Sequence, residues 1–288
     1  MKLHPILLPL LALVPSFAAC VHLAPDAPST EPRMVAAAQE TGDAMLALEG
    51  AMLGLGLLTD VEPGRTPAET FQLAGAVINA TFHGCAVATP LAGGRSGLRV
   101  QFAAAGCGLP DTGARFRGAL ALELPALGGV GEYRVAFERF AVGGDLLLDG
   151  SAAVRFVDRS RLSYRLEGLG ASVAGHTLTL DSRGDLTSGR AHTVATFDAV
   201  GSVTLDGVAR ALDVRELQRD LVGDCYPQRG AVTLDLPAAG TAGLRSRASV
   251  TFDDSEAGLD SDDTGLVWMT VDGRRETVQL PARACAAL

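Results

Sequence analysis

Asp260-x-Asp262-x-Thr264-Gly265 is the stretch whose residue types and spacing come closest to a ligand set. Side-chain oxygens at alternate positions before a glycine copy the opening of a calcium loop, where hard oxygen donors surround the ion. Val271 stands where the bidentate acid of such a loop belongs, and the following residues read as strand rather than helix. The neighbouring Asp253, Asp254, Glu256 and Asp263 repel one another unless water or a cation comes between them. The segment therefore reads as a solvated acidic hairpin loop or as a weak calcium site of Asp260, Asp262 and Thr264. No other cofactor is expected.

Thiol chemistry is the second possibility. The cysteines are Cys20, Cys85, Cys107, Cys225 and Cys285. His83 lies two residues before Cys85, but a Cys–His nucleophile needs a free thiolate and an orienting partner. An even set of four cysteines after Cys20 suits two disulfides in an oxidising compartment. The sequence-local choice is Cys85–Cys107 with Cys225–Cys285, one of three possible connectivities. No Cys-x-x-Cys occurs and the histidines lie apart, so a zinc site is not expected.

Other catalytic devices are missing from the sequence. No Gly-x-Ser-x-Gly elbow or His-Glu-x-x-His helix is present. Lys2 is the only lysine, which excludes Schiff-base chemistry and a phosphate-loop lysine from the chain beyond it. Asp43, Glu49, Asp60 and Glu62 read as solvated charge, and His176 and His192 as surface or turn positions beside a hairpin. Arg183-Gly184-Asp185 spells an adhesion tripeptide, which charged glycine-rich turns also produce by chance. No catalytic residue is assigned, and the chain reads as a non-enzyme.

The elements that would hold these residues begin with a leader. Residues 1–19 combine Lys2, an apolar core too short to span a bilayer, and Ser16-Phe17-Ala18-Ala19 ahead of Cys20. This resembles a bacterial lipobox, with Cys20 the lipidated residue; Phe17 replaces the usual Leu, so simple cleavage and secretion stay open. Val21 in place of Asp resembles the default sorting signal to the outer membrane. Residues 20–33 are Pro-rich and polar, the composition of a tether. Residues 34–68 are helical in composition up to Leu58, with Gly42, Gly50, Gly54 and Gly56 predicting an interrupted helix packed on the body.

From Glu69 to Leu288 the chain reads as an antiparallel β domain of about 12–14 strands, sheet or sandwich-like, with no further helix. Tyr133, Val135 and Phe137 alternate with polar residues, as do Leu162, Tyr164 and Leu166. Asp149-Gly150, Asp206-Gly207 and Asp272-Gly273 each predict a hairpin turn, because Asp-Gly supplies the positive φ of type I′. Aromatic content of 5% and recurrent Arg and Asp on the strands argue against a membrane barrel with aromatic girdles. Hydrophobic content of 48% supports a folded chain, and a net charge of −9 argues against nucleic acid.

The stretch CAVATPLAGGRSGLRVQFAAAGCGLPDTGARFRGALALEL, followed by EYRVAFERFAVGGDLLLDGSAAVRF, resembles a family of uncharacterised exported bacterial lipoproteins of Bacteroidetes and myxobacterial type. DCYPQRGAVTLDL, SVTFDD and TGLVWMTVDGRRETVQL fit the same scheme, so the resemblance covers residues 70–281. It implies an exported β domain and carries no activity. Such proteins often place a cysteine after the SVTF-like strand, where this chain has Asp253 and Asp254. The expected function is a membrane-anchored, non-enzymatic β scaffold for envelope or surface interactions. The alternative is an envelope carrier holding a lipid or other apolar ligand against a curved sheet. The partners expected are a membrane, through the lipid on Cys20, and a protein or apolar ligand.

Overall fold

A computed structural model describes residues 28–59, 65–93, 95–109, 114–124, 131–144, 146–189, 194–220, 224–237, 246–253 and 264–281. Helix α1 (Pro32–Gly56) opens with Pro32 in its first turn and the Glu31 carboxylate accepting the Met34 N–H at 2.8 Å. It runs without interruption through Gly42, Gly50 and Gly54. These glycines keep the helix because each meets a close neighbour. A Cβ at Gly50 would stand 2.0 Å from Leu146 Cδ2, and one at Gly54 would stand 2.8 Å from Phe137 Cε1.

A second helix, α2 (Pro67–Phe82), occupies the start of the segment expected to be β. Thr66 and Glu69 form a reciprocal capping box and Pro67 begins the first turn. Ala74, Ile78 and Phe82, four residues apart, form its buried stripe. The β part accordingly begins at Ala86 rather than Glu69.

The remaining elements are strands: β1 (Ala86–Pro90), β2 (Gly97–Phe102), β3 (Cys107–Gly108), β4 (Arg115–Glu123), β5 (Glu132–Val142), β6 (Leu146–Phe156) and β7 (Arg161–Val173). They continue as β8 (His176–Ser188), β9 (Val194–Leu205), β10 (Val208–Asp220), β11 (Arg229–Leu236), β12 (Ser246–Asp253), β13 (Leu266–Val271) and β14 (Arg274–Gln279). All join one antiparallel open sheet of 14 strands, arranged almost in chain order, with β3 paired only to β4. The expected mostly-β antiparallel class holds. Of the sheet and sandwich forms, the single sheet is adopted, and helices cover its inner face.

Asp206-Gly207 and Asp272-Gly273 are the β9–β10 and β13–β14 turns. Asp149-Gly150 is not a turn. β6 continues through it, with Asp149 opposite Gly170 and Gly150 opposite Phe137. Gly150 takes a φ of 137°, and a Cβ there would lie 3.2 Å from Leu169 Cα, where β7 presses in. The Asp-Gly pair serves backbone contact with a bulged neighbour instead of chain reversal.

Such bulges curve the sheet. In β5, β7 and β10 the period-2 alternation breaks into buried–exposed–exposed–buried runs at Phe137–Phe140, Leu166–Leu169 and Val214–Leu217. Each run coincides with a register shift. One residue of each is left-handed: Arg139 (φ 47°), Gly168 (φ 60°) and Glu216 (φ 46°). The extra residue bends the strand and increases its twist. Asp181 accepts the Gly168 N–H and Asp198 accepts the Glu216 N–H, each at 2.7 Å, fixing two of the bends. The Tyr164 hydroxyl donates to the Asp198 carbonyl at 2.7 Å, and burial beside that acid pushes the phenol pKa well up.

Candidate functional site

The concave face is where an apolar ligand would lie, and α1 occupies it. Residues on every side of this helix are buried, from Met34 and Met45 to Leu48, Met52 and Leu55. A helix with no polar face belongs in a core. It touches β5 through β9, β11, β13 and β14. At its C-terminal half, Gly54 lies against Phe137 and Phe140, which join a ring cluster with Phe102 and Phe116. Phe82 of α2 closes that cluster edge-on.

The acids of α1 point into the sheet. Glu49, 2% exposed in its side chain, pairs with Arg219, and Glu40 pairs with Arg210, itself 7% exposed. Asp43 accepts from Gln39 at 2.9 Å and meets His176 Nδ1 at 2.9 Å. The reading of Asp43 and Glu49 as solvated charge is corrected: both are buried, because the helix from Thr41 to Gly56 that carries them is buried almost throughout. Asp60 and Glu62 lie outside the described residues. At the helix start, Arg33 reaches both Ser246 Oγ and Asp272 at 2.5 Å.

Electrostatics at this seat follow from those pairs. The hydrogen bond and charge of Asp43 raise the His176 pKa, with Asp206 adding to the effect. His176 remains 60% exposed, as expected of a strand end beside a turn, yet it has a specific buried partner. Ser246, Arg247 and Arg33 hold Asp272 below the usual carboxylate range. Among the described residues Arg210 Nε and Arg219 Nε have no hydrogen-bond partner, so each pair leaves a buried donor unsatisfied there.

Cys85 and Cys107 are joined, with Cα atoms 5.6 Å apart, tying the end of α2 to β3. A bonded Cys85 has no thiolate, which removes the His83–Cys85 nucleophile; His83 instead ends α2 in a left-handed conformation (φ 49°). Cys225 is also disulfide-bonded; Cys285 and Cys20 lie outside the described residues.

The calcium candidates Asp260 and Asp262 lie outside them too. Thr264 is described: its Oγ1 accepts the Leu266 N–H at 3.2 Å and its carbonyl accepts from Gln279 at 2.8 Å. Among the described residues no three His, Cys, Asp or Glu side chains group as metal ligands, and no helix is long and apolar enough to cross a membrane. Arg183-Gly184-Asp185 runs through β8 rather than a turn, and a Cβ at Gly184 would stand 1.9 Å from the Asp198 carbonyl. Backbone proximity accounts for that glycine.

The arrangement fills, rather than opens, the concave face. Comparison with family models, curated proteins and solved structures finds no match to this chain.

Proposed function

We propose that the protein is an exported lipoprotein, anchored through Cys20 to the outer membrane, which acts as a non-enzymatic β scaffold for envelope or surface interactions. If Cys20 is cleaved without lipidation, the same body is secreted. The observation that carries the scaffold reading over the carrier is the seat of α1. The apolar face that a lipid would need is covered by a segment of the chain itself, paired through Glu40, Asp43 and Glu49 to β8 and β10. The Cys85–Cys107 bond is consistent with an oxidising compartment, and Cys225–Cys285 is the second pairing proposed.

The test is expression of the full chain, with its own leader, in a diderm host. The wild type is expected in the outer-membrane fraction, and Cys20→Ser in the soluble periplasm. Soluble wild type overturns the anchor. Native mass spectrometry of the Cys20→Ser product separates the remaining readings. A bare mass supports the scaffold. An added lipid lost on denaturation supports the carrier, and an added calcium ion that is lost in Asp260→Asn/Asp262→Asn assigns the loop of Asp260, Asp262 and Thr264.

A further inference from the structure

The outer face of the sheet holds a cleft of about 750 Å³ across β2, β4, β5, β6 and β7. Its floor is built from small residues: Ala119 stands opposite Gln101 and Glu138, Ala141 stands opposite Arg117, and Gly118 falls at the register shift between β4 and β5. Three arginines, Arg99, Arg117 and Arg139, line it, with Glu138 the one acid among its lining residues. Glu138 is committed, since Arg99 donates to one of its oxygens through Nε at 2.9 Å and Nη2 at 2.7 Å. Arg117 makes a single 3.3 Å contact with the Gly143 carbonyl. Arg139 has no side-chain partner among the described residues. Two guanidinium charges are thus in excess here, on a chain whose net charge is −9.

Arg139 is also the odd member of the bulge series. Gly168 takes its left-handed φ without a Cβ, and the Glu216 N–H is held by the Asp198 carboxylate. Arg139 takes a φ of 47° with neither device, pressed against Gly118 where a Cβ would stand 2.0 Å from the Arg139 carbonyl. Glycine would fit that position with less strain. A strained residue bearing an unpaired charge, in a cleft, is where function offsets a conformational cost.

We propose that this cleft binds a phosphate monoester. The excess charge matches a dianion of about −1.5 to −2 at neutral pH. Guanidinium forks suit its oxygens. The cleft is far larger than a phosphate, and its Leu147 and Ser172 side suits an organic remainder with apolar and hydroxyl groups. The same chemistry is presented by a soluble sugar or glycerol phosphate and by a phosphomonoester lipid headgroup.

The test uses the Cys20→Ser chain, so that an acyl anchor does not itself bind bilayers. Glycerol 3-phosphate is titrated calorimetrically, and phosphatidylcholine vesicles with and without phosphatidic acid are tested by flotation. Binding of the soluble ester identifies a soluble ligand; binding only to phosphatidic acid vesicles identifies a headgroup. Arg139→Gly and Arg117→Gln are expected to weaken the positive signal about tenfold or more. Arg139→Gly keeps or raises Tm. Arg247→Gln, which removes an arginine paired with Asp235 elsewhere on the sheet, leaves binding unchanged. No binding to either probe overturns the proposal, as does equal weakening by Arg247→Gln, which marks nonspecific charge attraction.

Discussion

Glu49 and Arg219 set the terms of burial for the concave face. Their side chains are 2% and 15% exposed. Desolvating both ions opposes their mutual attraction, so the intact pair adds little, whereas either ion alone is costly. Glu49→Leu should therefore lower unfolding free energy by about 3–5 kcal/mol, because it strands the guanidinium. Adding Arg219→Met should recover most of that loss, since two apolar side chains need no counter-charge. Urea denaturation of wild type, single and double variants measures both changes. A single variant as stable as wild type would mean that water reaches the pair. The same logic applies to Arg210, which shares the inward parity of Leu212 and Val214 along β10.

At the scale of elements, α1 shows why a glycine-rich segment still makes one helix. In a helix interior, Gly→Ala gains up to about 1 kcal/mol from propensity. At Gly54 the new methyl would meet Phe137 Cε1 at 2.8 Å and Phe140 Cε1 at 3.0 Å, and both rings are fully buried and packed against each other. Overpacking of that kind costs about 1–3 kcal/mol, so Gly54→Ala should melt lower than wild type. At Gly56 the nearest neighbour is Ser188 Oγ at 3.9 Å, and Gly56→Ala should melt at the same temperature or higher. A stabilised Gly54→Ala would show that the helix does not depend on close approach there. Much of this architecture is legible beforehand. Period-2 alternation locates strands, and Asp206-Gly207 and Asp272-Gly273 mark turns, because both signals are local. The capping box at Thr66 and Glu69 announces α2 with equal clarity, but an expectation of unbroken β from Glu69 masks it. Asp149-Gly150 misleads because a hairpin turn and a bulge contact both demand glycine at positive φ. The buried acids are harder to read: Asp43 and Glu49 look solvated until the sheet is known to enclose their helix. The arginine cleft is hardest of all, since Arg99, Arg117 and Arg139 meet only through the register of three strands.

For the whole molecule, the decisive property is whether the sheet and α1 open together. Lifting α1 out would expose the inner faces of β5 to β9 and leave Arg210 and Arg219 without Glu40 and Glu49. Both consequences are unfavourable, so local release of the helix should cost as much as global unfolding. Hydrogen exchange expresses this directly, because amides released by one cooperative opening share its free energy and its urea dependence. The amides of Ala44 to Leu55 should exchange with those of β6 to β10, at the global value. Those of α2 have a different constraint. That helix packs on β1 and β2 at one end of the strand order, and the Cys85–Cys107 bond ties it there, so sub-global exchange of α2 is compatible with an intact centre. An opening of α1 at lower free energy, with a urea dependence substantial but smaller than the global one, would describe a removable plug over an apolar trough, and the carrier would displace the scaffold. Exchange of α1 at the global limit leaves the concave face permanently closed, and recognition then belongs to the outer face, where the arginine cleft lies.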